Sequence, residues 1–203
     1  MTATAPGGTG RVNQKLRTRT AIVQAAAELM ATGRDVTMPE IARAALVSEA
    51  TAYRYFPDLA SLLREAMAGQ LPDPTEALAP VAGSTDPVER VAFATEYLMR
   101  HVLARQGAVR AMIAATVARP GGGASRPGLR VGLIDHALAP IDGVLDRAAL
   151  HRLKLSLGVV VSAEALFSLT DLYGLGAEEA IATAVHAATT LTRAALAGKL
   201  RRA

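Results

Sequence analysis

Apolar residues recur at intervals of three and four along most of this chain, and helix-starting or helix-ending residues border each run. Ile22, Ala26, Leu29 and Met30, with Gly33 following as a C-cap, predict a first helix over about 17–32. Thr37 and Glu40 have the spacing of a capping box, and Val36 and Ile41 that of a hydrophobic staple. Pro39 falls in the first turn, where its missing N–H costs little, so a second helix starts at Thr37. A break at Leu46-Val47 precedes Ser48, an N-cap for a third helix that Pro57 closes after about two turns. A helix that short holds only when docked on its neighbours, which leaves its outer face for a partner. Leu59, Leu62, Leu63, Ala66 and Met67 then predict an amphipathic fourth helix to about Gly69, and the Pro-rich stretch 69–74 closes it.

Beyond Thr75 the pattern gives a succession of helices. Asp86-Pro87 opens one that runs through Val102, and Gly107 opens another to about Ala118. Residues 119–128, with four Gly and two Pro, form a loop that lacks the Gly-Lys-Ser/Thr ending of a phosphate loop. A helix over about 129–147 must kink or divide at Pro140. Two long helices follow, about 148–172 and 177–200, separated by Tyr173-Gly174-Leu175-Gly176. The first is apolar over much of its circumference, and the second carries Ile181, Val185, Ala188, Leu191, Thr192 and Ala195 as a stripe of mainly small residues. Faces so broad must be covered on several sides. The expected fold class is all-α: a disordered arm (1–14), a three-helix helix-turn-helix domain (15–57), a connecting helix and linker (58–74), and a larger helical domain (75–203).

Composition bounds this picture. A chain of 203 residues, 51% hydrophobic, can bury a substantial core. The absence of cysteine excludes disulfides and thiolate metal sites and fits a reducing cytoplasm. No secretion signal is read in residues 1–10, and Leu155–Leu169 is too short and too interrupted by Ser156, Ser162, Glu164 and Ser168 for a membrane span. It is expected to be a buried helix of a soluble protein, located in the cytoplasm with the nucleoid. The net charge of +4 favours nucleic acid weakly, since residues 1–70 hold 8 basic against 6 acidic side chains. Position adds more: Arg11, Lys15, Arg17 and Arg19 precede any acid and form a basic entry to the first helix. The chain has four tyrosines, three phenylalanines and no tryptophan, and Tyr53, Tyr55 and Phe56 fall within four positions of the third helix.

At these residues the chain resembles the TetR family of bacterial transcriptional repressors. The matching residues are Val36-Thr37, Ile41-Ala42, Ala45-Leu46-Val47-Ser48 and Thr51-Ala52-Tyr53-Arg54-Tyr55-Phe56, within about 17–67. Two positions depart from the family pattern: the turn Gly is Leu46, and a phosphate-contacting Lys is Leu59. The resemblance implies a homodimer, paired through its last two helices, on a palindromic double-stranded operator, with DNA contacts from Thr37, Thr51 and Tyr53. Reach and chemistry add Ser48, Tyr55, Arg17 and Arg19 as phosphate contacts, Glu49 and Ala50 as base readers, and Arg54 as either. A ligand-independent architectural DNA-binding protein of weak specificity is the alternative reading.

In the larger domain Phe93, Tyr97 and His101 share one helical face and suit the wall of a small-molecule pocket. Met112, Thr116, Glu164 and Phe167 are expected to approach it from other helices. The expected effector is an unidentified small molecule that would release the repressor from its operator. The four histidines show no metal-ligand spacing and no nucleophile motif accompanies them, so neither a cofactor, a metal nor an enzymatic activity is expected.

Overall fold

The computed structural model describes residues 8–69, 71–118 and 128–200, without the side chains of residues 8–11, 116, 118, 199 and 200. Among the described residues there is no strand, and the all-α expectation holds. The helices are α1 (Gly8–Met30), α2 (Met38–Ala44), α3 (Glu49–Tyr55), α4 (Leu59–Ala68), α5 (Pro74–Ala77) and α6 (Pro87–Leu103). They continue with α7 (Gln106–Ala118), α8 (Leu129–Leu138), α9 (Arg147–Val160), α10 (Ala163–Phe167) and α11 (Ala177–Leu200). Two compact units result, one built from α1 to α4 and α7, the other from α5, α6 and α8 to α11.

In the first unit α1 lies against α2 and α4, α2 packs on α3, and α7 packs on α4. Its core holds Ile22, Met30, Ile41, Leu62 and Leu63, all essentially without solvent exposure. The first helix differs from expectation at its start. It begins at Gly8, so residues 8–14 are helical rather than a disordered arm, because nothing between Arg11 and Thr32 breaks a helix. Residues 1–7 of that arm lie outside the described residues. Gly33, at φ 72°, supplies the left-handed C-cap that the sequence requires. The grouping of α7 is a second difference, since the sequence assigns it to the larger domain.

In the second unit α6 and α11 pack along one another, with α8 against α6 and α9. Asp86 caps α6 by accepting from the Val88 N–H at 2.8 Å, and Pro140 divides the helix expected over 129–147 into α8 and a 3-10 turn at Ala139–Ile141. The long helix expected over about 148–172 is likewise divided. Ser162 accepts from the Ala165 N–H at 3.1 Å and donates to the Val159 carbonyl at 2.7 Å, starting α10 with a bend of 42° from α9. Nor is the stretch buried all round: Leu153, Leu157, Val161 and Leu166 face the core, while Leu155 and Val159 are 59% and 71% exposed. No single helix among the described residues is long and apolar enough to cross a membrane. The glycine-rich loop expected at 119–128 lies, except for Gly128, outside the described residues.

Candidate nucleic-acid interface

The interface is assembled from local hydrogen bonds that fix two short helices. Thr37 begins α2 with both halves of the capping box: its Oγ1 accepts from the Glu40 N–H at 3.4 Å, and its backbone N–H donates to Glu40 Oε2 at 3.0 Å. The Thr37 hydroxyl also donates to Glu40 Oε2 at 2.7 Å, and this bond, more than any other, holds the Glu40 carboxyl below the usual carboxylate range. Thr37 is exposed, but its own proton is committed to Glu40, so toward a phosphate it presents a polarised cap rather than a free hydroxyl donor.

The turn into α3 closes by a double hydrogen bond. The Val47 N–H donates to the Ala42 carbonyl at 2.9 Å and the Leu46 N–H to the Arg43 carbonyl at 3.1 Å, the pairing of a Schellman C-cap. That motif needs a left-handed residue at Leu46, which adopts φ 55°. A leucine in this conformation is strained by roughly 1–2 kcal/mol. Its side chain is 92% exposed.

Ser48 then caps α3, accepting from the Thr51 N–H at 3.2 Å and donating to Thr51 Oγ1 at 3.0 Å, so the Thr51 hydroxyl proton is not used in the cap. Ala52 and Phe56 anchor α3 at 0% and 2% exposure. Glu49, Ala50 and Arg54 are exposed, Tyr53 is 49% exposed, and Thr51 is half-buried. The residues proposed as base readers and phosphate contacts on α3 therefore share one seven-residue rod with an open outer face.

Two candidates are placed differently from the rest. Arg19 forms a bidentate ion pair with Glu65 of α4, and its guanidinium lies 4.7 Å from the centre of the Phe56 ring. It ties α1 to α4 and to the end of α3, whereas Arg17 is exposed on α1. Tyr55 is half-buried beside an open cleft of about 370 Å³ lined with Arg19, Phe56, Pro57, Ser61, Arg64, Glu65 and Ala68. The guanidinium of Arg54 sits 5.7 Å from the Tyr55 ring centre. The pairing of Arg19 with Glu65 spans 46 positions and leaves no local mark in the sequence.

The ligand candidates are only partly brought together. Phe93, Tyr97 and His101 form a ladder along α6 with ring centres 6.5 and 6.4 Å apart and planes 25° and 21° from parallel, all half-buried. Phe167 is buried on α10, and Glu164 pairs with Arg130 at 3.8 Å, all within the second unit. Met112 is buried on α7 and belongs, with Thr116, to the first unit; the Thr116 side chain lies outside the described residues. Among the described residues no group of three His, Cys, Asp or Glu side chains could hold a metal ion.

Comparison with known proteins agrees with this geometry. Residues 22–66, from the core of α1 to the end of α4, match the family described as bacterial regulatory proteins, tetR family. A solved structure of a TetR transcriptional regulator from Rhodococcus sp. RHA1 is similar in fold, with a TM-score of 0.53 and 22% identity over 88% of this chain and 97% of that one. No curated protein matches the chain.

Proposed function

We propose, from the premise that this chain is a DNA-binding transcriptional regulator of the TetR family, that it is a homodimeric repressor which a small molecule releases from a palindromic operator. The observation that carries the DNA half is the exposed outer face of α3, where Glu49, Ala50, Tyr53 and Arg54 stand clear of a core held by Ala52 and Phe56. Arg17, Ser48 and Thr51 are the neighbouring phosphate contacts, with the cap at Thr37 behind them. In this reading the start of α3 enters the major groove and the hydroxyls position it on the backbone.

Dimerisation is supported by Leu155 and Val159 on α9, whose exposure would otherwise set two large apolar side chains in water one helical turn apart. A two-fold pair would set two α3 helices roughly 34–36 Å apart, or somewhat more, on one face of the duplex. The ligand half rests on the Phe93–Tyr97–His101 ladder, an aromatic wall with polar tips of the kind that receives a small, largely apolar molecule. By linkage such a ligand and the operator weaken each other equally, through a coupling of ~1–3 kcal/mol.

Selection of duplexes from fragmented genomic DNA with purified protein tests the proposal. The expected result is a palindromic site bound ~10³-fold or more above nonspecific DNA at fixed salt. A ratio near one supports the architectural reading instead. Titration of the selected site against a panel of small aromatic and aliphatic compounds then tests release.

A further inference from the structure

We propose that Leu46 is an apolar DNA contact that reads a thymine methyl group beside the start of α3. The proposal rests on the reading of the first unit as DNA-binding. Three properties of this residue converge. Leu46 is 92% exposed, the highest value among the exposed large apolar side chains of the described residues. Among those residues it is also the one non-glycine at positive φ. And it is held rigidly: the hydrogen bonds from the Leu46 and Val47 N–H groups fix the backbone before it, and the Ser48 cap fixes the backbone after it.

Glycine or asparagine would take the same left-handed bend with less strain, and a polar side chain would be better solvated there. Folding alone thus disfavours leucine twice, through conformation and through exposure. A partner that covers the side chain reverses the second cost, and strained residues gather where the strain serves binding.

The position names the partner. Leu46 stands two residues before the N-cap of α3, and two residues of chain span at most about 7 Å. Its methyl groups therefore belong to the end of α3 that carries Glu49 and Ala50. In the major groove the bases are distinguished by hydrogen-bonding edges, except that thymine also offers an apolar one, its C5-methyl. An uncharged branched side chain matches that group. It contributes nothing to counterion release, so its effect is independent of salt, unlike a phosphate contact.

The test uses the full chain, the variants Leu46→Gly and Leu46→Asn, and duplexes selected from a random library by the unaltered protein. Each thymine is replaced in turn by uracil, which removes the methyl and nothing else. One thymine in each half-site is expected to lose about fivefold in affinity for the unaltered protein on this change. Leu46→Gly should bind the thymine and uracil duplexes equally, both at the weaker level, with an unchanged slope of log affinity against log salt. Its thermal midpoint should rise, which separates weaker binding from unfolding. Affinity of Leu46→Gly equal to that of the unaltered protein overturns the proposal. So does a uracil penalty that persists undiminished in both variants. If the unaltered protein selects no sequence, the proposal falls together with its premise, a result distinct from either.

Discussion

Gly107 lies so close to Arg34 that a Cβ added to it would stand 2.2 Å from the Arg34 carbonyl oxygen and 2.7 Å from the Asp35 amide nitrogen. The neighbour is backbone, which cannot swing aside as a side chain can. This contact joins α7 to the loop between α1 and α2, and with the α4 packing it fixes α7 in the first unit. Gly107→Ala is expected to push α7 off that loop and to destabilise the unit by about 2 kcal/mol. Urea denaturation followed by helical signal checks the magnitude. A midpoint equal to that of the unaltered protein would show that the contact is slack in solution.

Arg90 makes a different kind of joint. It is 4% exposed, and among the described residues no carboxylate pairs with it. Its guanidinium donates instead to the Ala137 carbonyl at 3.2 Å, the His136 carbonyl at 2.8 Å and the Val81 carbonyl at 2.8 Å. His136 and Ala137 are in the last turn of α8, at the negative end of the helix dipole, and the His136 carbonyl also accepts from the Ala139 N–H. Arg90→Met would keep the packing and remove these charge-assisted bonds, at about 1–3 kcal/mol in all, since the His136 and Val81 carbonyls keep the Ala139 and Ser84 N–H groups. Arg90→Lys should recover only part of the loss, because one ammonium lacks the spread of the guanidinium fork. Thermal unfolding of the two variants side by side measures the difference.

The Thr37–Glu40 capping box predicts a pH dependence with a definite sign. The native carboxyl of Glu40 titrates below its ordinary value of 4.5, chiefly through the Thr37 hydroxyl. A group with a lowered native value adds stability at pH above its unfolded value and loses it as pH falls through the native one. The midpoint advantage over Glu40→Gln should therefore be full at pH 6–7 and shrink steadily below about 4.5. An advantage that is constant from pH 7 to pH 3 would remove the charge from the cap.

The proposed DNA contacts on α3 divide by what each would touch. Tyr53→Ala is expected to weaken all sequences by a similar factor, as loss of a phosphate contact does, while Glu49→Ala changes preference at one base pair in each half-site. Binding measured on a set of single-base variants separates the two patterns. Identical profiles for both variants would remove Glu49 from the readers.

Much of the fold was legible because its signals are local. The capping residues Thr37, Ser48 and Asp86 each receive a backbone N–H three residues or fewer away, and Gly33 takes the left-handed bend its position demands. The start of α1 is not legible, because a polar segment without apolar periodicity carries no sign of helix until the rest of α1 extends into it. The division of the helix after Val160 had a visible sign in Ser162, but a serine inside an apolar run is equally compatible with an unbroken helix until its neighbours are fixed.

Sequence by itself determined the all-helical class, the paired short helices and their caps, and the aromatic, hydroxyl and basic residues of α3, since each depends on neighbours within one or two turns. Tertiary structure alone decided that Arg19 binds Glu65, that Arg90 gathers carbonyls from two separate elements, that α7 joins the first unit through Gly107, and that Leu46 is bare. Those relationships join positions far apart in the chain or depend on what fails to cover a side chain. Neither kind of information has a period or a spacing, so it exists only once the chain has folded.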